Sequence, residues 1–405
     1  MESRRRYVGV LVVVMSAACP GGGSRPAAHR VERAGAGRSP GPCAGGGACE
    51  GPDPAFIRCP DEGGCTASNG TGVYHAEAGF AGIGASRLMI THFLRTGGRV
   101  GFAARYVDPA TNRWFSLANP GAVYRADYRG RTDLRVVSLS ETATVPTWIF
   151  EDPAAADPAS RTLTVTGDEL LGVKLYLRFT ISRPVEHPQA PGPAPVYGAD
   201  APGVTQSYVL EFGRAATDAR SRAPLQMYEL RWRERAAGAV PVPYCVDARG
   251  SADPIVFQGG IAIDPDTARV TRGGSTDGVV TLSCRSGAPA TVYSWGYRHR
   301  EDAYYFDAAL QMKRASYCGD GATYTQSPTL VDIADDRHVA QSPLARLEAR
   351  WTPTGASCVN RDHLRHPEIA VEKGFTFTCQ GRSLPPCTTP ALGRYLASGV
   401  ASSGR

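Results

Sequence analysis

Short runs of alternating apolar and polar residues follow one another from about Asn69 onward, separated by glycine, asparagine, proline and aspartate. Alternation with a period of two places one face of a strand in a core and the other in water. The pattern therefore predicts a mainly β fold, α+β at most, built from antiparallel strands. The clearest runs are Ser86–Phe93, Arg99–Tyr106, Ala122–Tyr128, Leu134–Ser140, Thr162–Thr166, Val173–Ile181, Ser207–Phe212, Met227–Trp232, Ile255–Phe257 and Val279–Cys284.

One segment has helical rather than strand periodicity. Residues 301–314 contain neither glycine nor proline, and Phe306, Leu310 and Lys313 recur at helical spacing. The segment leads into Cys318-Gly-Asp-Gly, which is typical of a helix end. The sequence thus predicts one helix near 301–314.

The first residues resemble an export signal. Three arginines, a short apolar run and Ser16-Ala-Ala precede Cys19, which predicts a signal peptide over residues 1–18. Cleavage before Cys19 would expose it to lipid modification, so the predicted partner is the membrane, through an N-terminal lipid. Ordinary cleavage at the same bond without lipid is the alternative, because Ser16 stands where lipoproteins carry an aliphatic residue. The predicted location is extracytoplasmic, either anchored in the cell envelope or secreted.

Cysteine number supports this prediction. The chain has 11 cysteines, so lipidation of Cys19 leaves an even number for disulfides in an oxidising compartment. We expect one group to pair within residues 19–66 and another to form three bonds near the C-terminus, with Cys379–Cys387 as a local pair. The first group is Cys43, Cys49, Cys59 and Cys65; the second is Cys245, Cys284, Cys318, Cys358, Cys379 and Cys387.

Composition divides the rest of the chain. Gly, Pro and Ala dominate residues 19–66, which predicts a flexible tether. Proline density over 184–204 predicts an inter-domain linker, or else an excursion between two strands of one larger β unit. The predicted units are a β-rich domain at 67–183, a second domain at 205–388 and a C-terminal tail at 389–405.

Charge excludes some functions. The formal net charge is +6, but arginines alternate with acids along the chain instead of clustering with aromatic residues. A nucleic-acid partner is therefore not expected. No apolar stretch long enough to span a membrane follows the signal peptide, and no cofactor motif is present. The sequence does not specify whether a ligand would be a protein or a small molecule.

A resemblance emerges around the predicted helix. The segments Ser294-Trp-Gly-Tyr and Arg314-Ala-Ser-Tyr-Cys-Gly-Asp-Gly resemble the core of the ADYC-domain family over roughly residues 205–360. The resemblance implies an exported bacterial protein and a disulfide role for Cys318, and it implies no particular chemistry. The matching residues are Trp295, Gly296, Tyr297, Ala315, Ser316, Tyr317, Cys318, Gly319, Asp320 and Gly321.

Two departures from the family pattern matter. Ser316 occupies the acidic position of the Ala-Asp-Tyr-Cys motif, so a catalytic role for that acid would be lost here, whereas a turn-capping role would survive. Thr291-Val-Tyr-Ser and Ala308-Ala309 stand where family members often have cysteines, which implies the loss of one disulfide.

Catalytic and metal-binding candidates are weak. Asp335, Asp336 and His338, with Asp332 and Asp320 nearby, offer the groups of a hydrolase, but a polar turn has the same composition. Cys358, His363 and His366 have zinc-like content, yet oxidation of the cysteine and a following proline argue against a metal site. Gly79–Gly84 lacks the glycine order of a phosphate loop, and Asp264-Pro-Asp lacks the oxygen density of a calcium loop.

The predicted function is therefore that of an exported, lipid-anchored envelope protein with a structural or ligand-binding role. The alternative is an extracytoplasmic hydrolase that uses the Asp/His cluster at 332–338. A pocket that gathers the cluster would favour the hydrolase, whereas an exposed turn would favour the binding protein.

Overall fold

The computed structural model describes residues 87–108, 113–117, 119–181, 204–218, 225–235, 238–245, 251–274, 278–325, 329, 331–342, 344–388 and 393–400. The predicted signal peptide and tether, with Cys19, Cys43, Cys49, Cys59 and Cys65, lie outside these residues, as does Gly79–Gly84. Across the described ranges, no helix is both long and apolar enough to cross a bilayer.

Antiparallel strands form most of the described structure, which confirms the fold class predicted from the alternating pattern. The strands before the main helices are β1 (Arg87–Thr96), β2 (Arg99–Asp108), β3 (Arg113–Ser116), β4 (Gly121–Tyr128), β5 (Arg131–Thr142), β6 (Val145–Glu151), β7 (Thr162–Thr166), β8 (Lys174–Ile181), β9 (Val204–Asp218), β10 (Leu225–Glu234), β11 (Val242–Pro243), β12 (Ile255–Gly259), β13 (Ala262–Ile263), β14 (Val270–Thr271) and β15 (Val280–Cys284).

In this part of the chain, eight strands close into a barrel in the order β2-β1-β15-β12-β10-β9-β8-β4. Pairing of β4 with β2, through Ala122 opposite Gly101 and Gly121 opposite Phe102, completes the ring. A Cβ on Gly121 would overlap the Phe102 ring, so a glycine is needed where the barrel closes.

Aromatic rings fill the barrel. Phe179 and Tyr208 stack with centroids 5.6 Å apart, and Trp232 lies 5.6 Å beyond Tyr208. The sheet continues past β4 through β5, β6 and β7, and this extension places the fully buried Trp148 5.1 Å from Phe93. Burial of such rings is the main favourable contribution to this core.

The proline-rich stretch separates two strands that pair directly. From Lys174 opposite Glu211 to Ile181 opposite Val204, β8 and β9 form one continuous ladder. Strands before residue 182 and after residue 203 therefore share one sheet, which corrects the division into domains at 67–183 and 205–388. The arrangement corresponds to the alternative interpretation, an excursion within one larger β unit.

A second layer covers one side of the barrel. Helix α1 contacts β15 and α2, and α2 packs on a four-stranded sheet of order β16-β21-β17-β18. Its elements are α1 (Ala288–Ser294), α2 (Ala303–Arg314), β16 (Val331–Asp335), β17 (Leu347–Thr352), β18 (Gly355–Val359), α3 (Pro367–Glu372), β19 (Thr378–Cys379), β20 (Arg382–Ser383) and β21 (Leu396–Val400).

Helix α2 confirms the predicted helix near 301–314. Asp302 caps its first turn by accepting a hydrogen bond from the Tyr304 amide, and Ala315 ends it in the left-handed conformation at φ +47°. Two shorter helices, α1 and α3, were not predicted.

The predicted tail contributes a core strand. Within residues 389–405, β21 lies between β16 and β17, and its Leu396 and Ala397 are buried. Short, small-residue strands of this kind carry little periodic signal, so the tail prediction is wrong for residues 396–400.

Three disulfides join the six C-terminal cysteines: Cys245–Cys284, Cys318–Cys379 and Cys358–Cys387. The predicted local pair Cys379–Cys387 is wrong, because each of these cysteines faces a partner on another element. Cys245–Cys284 fastens the end of β15 within the barrel wall, while the other two fasten the β19–β20 hairpin region to α2 and β18.

Candidate functional site

The motif that follows α2 directs Tyr317 into the core. The Tyr317 ring, 1% exposed, stacks on Trp351 and Phe375 with centroids 5.3 and 5.2 Å away. Its hydroxyl donates a hydrogen bond to Glu348 Oε1 at 2.8 Å. The tyrosine therefore links the end of α2 to β17.

Glu348 is the acceptor at the centre of a buried polar network. Arg365 donates from Nε and Nη2 to its carboxylate at 2.9 and 2.6 Å, and Ser398 Oγ donates at 2.6 Å. The Glu348 and Arg365 side chains are 0% and 1% exposed. Burial alone would raise the pKa of Glu348, but the Arg365 charge and these hydrogen bonds offset it and hold the pKa below its ordinary value.

Lys313 on α2 is also fully buried, near Arg365. Burial and then the Arg365 charge hold the pKa of Lys313 well below its ordinary value. Among the described residues, neither Lys313 Nζ nor Ser316 Oγ has a hydrogen-bond partner. At the position where the family motif has its acid, Ser316 is inaccessible to solvent, so it cannot meet a substrate.

The glycine of the motif allows two backbones to cross. Gly319 has φ +61°, and a Cβ there would overlap the Thr354 carbonyl. On the opposite strand, Gly355 has φ +118°, and a Cβ there would overlap the Tyr317 carbonyl. Cys318 forms a disulfide with Cys379 next to this crossing. The segment from Tyr317 to Gly319 therefore has a structural role and contains no free thiol. The structural role predicted for Cys318 agrees with this placement.

The Trp-Gly-Tyr segment reaches the acidic cluster. Tyr297 donates its hydroxyl to Asp335 Oδ2 at 2.7 Å, and Asp335 Oδ2 also accepts from the Ala340 amide at 2.7 Å. Asp335 Oδ1 accepts from the amides of Arg337 and Val339. All of these bonds stabilise the turn after β16.

The rest of the predicted catalytic cluster is dispersed. Asp336 accepts hydrogen bonds from the Tyr305 hydroxyl and the Tyr395 amide. Burial opposes its ionisation, but these hydrogen bonds and the Arg394 charge together outweigh burial and lower the pKa of Asp336. His338 is exposed and contacts Gln341, not Asp335. The three side chains thus make separate contacts on a turn and do not form an acid–base set.

A cleft of about 290 Å³ lies beside this turn, at the start of α2. Cations and carboxylates both reach it: Arg337 Nη1 lies 2.9 Å from Asp302 Oδ2, and Arg394 Nη2 lies 3.5 Å from the same atom. Both guanidinium groups also approach the Tyr305 ring, at 5.7 and 5.8 Å. The lining residues are Gly296, Tyr297, Arg298, Glu301, Asp302, Tyr305, Arg337 and Val339.

The sequence predicts only part of this cleft. Gly296 and Tyr297 belong to the motif, and Arg337 lies inside the Asp-Asp-Arg-His segment, but the sequence indicates Glu301 and Asp302 only as the start of a helix. The sequence could link Gly296 and Tyr297 to the start of α2 because the motif directly precedes the helix. The turn at 335–339 comes close to these residues only through the tertiary fold, which the sequence pattern does not show.

A second buried network, also missed, joins the barrel to the helical layer. Glu141 accepts from the Gly259 amide at 2.7 Å and from Arg300 at 2.8 Å. His299 Nε2 lies 3.0 Å from the Gly259 carbonyl, and its Nδ1 meets the Tyr293 hydroxyl. Burial lowers the pKa of His299 to about 4, so the imidazole is neutral and structural at pH 7.

The metal-binding candidates have other partners. Cys358 is in a disulfide, His363 Nδ1 lies 3.1 Å from the Leu347 carbonyl, and His366 pairs with Thr329 and Glu368. Asp264 accepts hydrogen bonds from its own turn, at Asp266 and Thr267. Over the described ranges, no group of three or more His, Cys, Asp or Glu side chains is arranged to hold a metal ion.

Comparison with known proteins supports the resemblance drawn from the motif. The model of the ADYC domain matches residues 194–365, which confirms that resemblance; the matched residues include β9 to β18 and α2. No curated protein and no solved structure matches the chain.

Proposed function

We propose that this is an exported envelope protein that binds a small zwitterionic ligand in the cleft at the start of α2. One observation carries the proposal: cationic and anionic side chains line a single cleft of about 290 Å³. That volume lies at the small end of ligand pockets, which span about 300–1,000 Å³. It suits a ligand between an amino acid and a dipeptide in size.

The charges suit the two ends of such a ligand. Arg337 is half-exposed, and beyond the contact of its Nη1 with Asp302 its planar guanidinium has further N–H groups that can donate to a ligand carboxylate. Glu301 is exposed, and among the described residues no cationic group lies within 4.0 Å of its carboxylate, so it is able to accept an ammonium group. The stacked rings of Tyr297 and Tyr305, with centroids 6.5 Å apart, also line the cleft and add apolar surface to it.

Titration calorimetry with alanyl-alanine tests the proposal on the full-length protein. We expect binding that is weakened about tenfold or more by Arg337→Gln and by Glu301→Gln, since each removes one charge-assisted contact. Arg382→Gln, an exposed change outside the cleft, serves as the matched control. N-acetylation or C-terminal amidation of the dipeptide should weaken binding to a similar extent. Absence of binding at millimolar dipeptide, or equal loss in the control, would contradict the proposal.

Export and lipidation form the other half of the proposal. Support comes from the residues before Cys19 and from the three disulfides, which are stable in oxidising compartments. Palmitate labelling of the expressed protein should mark the wild type and Cys43→Ala, and should fail for Cys19→Ala. Label that persists in Cys19→Ala would contradict lipidation at that residue.

A further inference from the structure

An arginine–tyrosine face lies on the outer surface of the barrel, across β4, β8 and the end of β10. The name refers to Tyr124, Arg125, Tyr176, Arg178 and Arg235. The two rings lie 6.3 Å apart between centroids. Arg125 lies 3.9 Å over Tyr176, and Arg178 lies 4.4 Å over Tyr124.

Arg235 completes the face from the neighbouring strand. Its guanidinium carbon lies 5.9 Å from the Tyr124 centroid and 6.0 Å from that of Tyr176, and Nη1 donates to the Tyr124 hydroxyl at 2.8 Å. A guanidinium that stacks on an aromatic ring contacts the ring through its flat face, which fixes its orientation. The N–H groups at its edge are thereby left available for an anion.

The acids near the face neutralise only one of its three arginines. Asp127 and Asp133 lie 3.5 and 2.8 Å from Arg125, and Asp127 also accepts from the Tyr176 hydroxyl. Considering the residues that the structure describes, no carboxylate lies within 4.0 Å of the Arg178 or Arg235 guanidinium. Both side chains are exposed. Arg178 and Arg235 are therefore oriented cations that no carboxylate of the described residues compensates, whereas Arg125 is compensated by Asp127 and Asp133.

Spacing favours a polymer over a single ion. Arg178 on β8 lies opposite Ser207 on β9, and the backbone N–H of Arg235 donates a hydrogen bond to the Ser207 carbonyl from the other side. Strand β9 therefore lies between the two arginines, which are two strand spacings apart. Neighbouring strands are about 4.8 Å apart, which separates the two backbones by about 10 Å. A ligand that engages both arginines must carry anionic groups at a comparable interval.

The surroundings favour a glycan over a lipid surface. Surfaces that bind membranes combine basic residues with exposed apolar anchors. The large apolar side chains that are exposed within the described ranges are Leu171, Val240 and Val371, and none belongs to the face. We infer that the arginine–tyrosine face binds an acidic polysaccharide, a site separate from the cleft at α2.

Binding of polygalacturonate to the full-length protein at about 20 mM salt tests this inference, because electrostatic contacts are strongest at low ionic strength. We expect saturable binding that weakens steeply as salt rises. The double variant Arg178→Gln/Arg235→Gln should raise the dissociation constant at least about tenfold. Tyr124→Phe, which removes one hydrogen bond to Arg235 and keeps the ring, should have a smaller effect.

The matched control is Arg95→Gln/Arg99→Gln, which removes two exposed arginines from the β1–β2 hairpin and lowers the net charge equally. It should bind as the wild type does. Equal weakening in both double variants, absence of binding to polygalacturonate, or equal binding to neutral dextran would overturn the inference. Binding to phosphatidylglycerol vesicles alone, lost in the first double variant, would assign the face to lipid and also overturn it.

Discussion

Replacement of Glu348 by glutamine is the most informative perturbation of the scaffold. The change preserves shape but places an amide N–H₂ against the donors of Arg365 and Ser398, and it leaves the Arg365 charge buried without a counter-charge. Removal of one partner of a buried ion pair costs about 3–5 kcal/mol. At about 2–4 °C per kcal/mol for a large domain, Tm should fall by roughly 6–20 °C.

Urea unfolding of the disulfide-intact protein measures the loss as a change in midpoint at constant slope. Glu372→Gln, an exposed change of equal charge, should alter the free energy of unfolding by less than about 0.5 kcal/mol. In a double-mutant cycle, Arg365→Met should cost much less in a Glu348→Leu background than in the wild type. Additive costs, or equal effects of Glu348→Gln and Glu372→Gln, would refute the reasoning.

Acid should reduce the difference between wild type and Glu348→Gln. Because the folded protein holds the pKa of Glu348 below its ordinary value, this contribution to stability is complete above the unfolded carboxyl pKa of about 4.3. It is lost as pH falls through the lower, folded pKa. A difference that grows on acidification would contradict the assigned direction.

Three further changes test other parts of the scaffold. Gly319→Ala should strongly destabilise the folded protein because the added Cβ overlaps the Thr354 carbonyl. Gly374→Ala, also at positive φ but in open space, should lower the free energy of unfolding by only about 1 kcal/mol. Equal losses of Tm in the two variants would contradict this. Lys313→Met should be about 1–3 kcal/mol more stable at pH 7 because it removes a buried amino group that has no hydrogen-bond partner among the described residues and whose charged form is disfavoured by burial. This advantage should shrink as pH rises toward the unfolded lysine pKa of about 10.4, since the folded pKa is lowered, and urea midpoints across that range test the sign. Cys318→Ser should lower stability by about 2–4 kcal/mol and expose one thiol, from Cys379, to iodoacetamide; a thiol on any other cysteine would contradict the pairing.

Local sequence patterns predicted where strands and the main helix lie better than they predicted which strands and which cysteines pair with one another. Period-two alternation located strands such as β2 and β8, and helical spacing located α2, because these signals depend on which side of a single element is buried. Nothing in the proline-rich stretch indicates that β8 and β9 pair across it. Likewise, the turn-forming residues Gly381 and Pro385-Pro386 favoured the local pair Cys379–Cys387, although Cys318 and Cys358 are the partners in the fold.

The cleft illustrates the same limit. Tyr297 and Asp302 lie close in sequence, but Arg337 and Arg394 reach them only because the turn after β16 and the approach to β21 meet the start of α2. The buried ion pair Glu348–Arg365 could not be predicted from the sequence either, because charged residues are usually exposed and only tertiary packing buries these two.

Hydrogen–deuterium exchange of the full-length protein, with and without saturating alanyl-alanine, tests the central claim most directly. If the cleft at the start of α2 is the ligand site, amides in peptides covering residues 296–305 and 337–339 should exchange more slowly with the dipeptide present. Peptides from the barrel strands β8 and β9 should be unchanged. Protection confined to the barrel, or no protection anywhere at millimolar dipeptide, would contradict the claim.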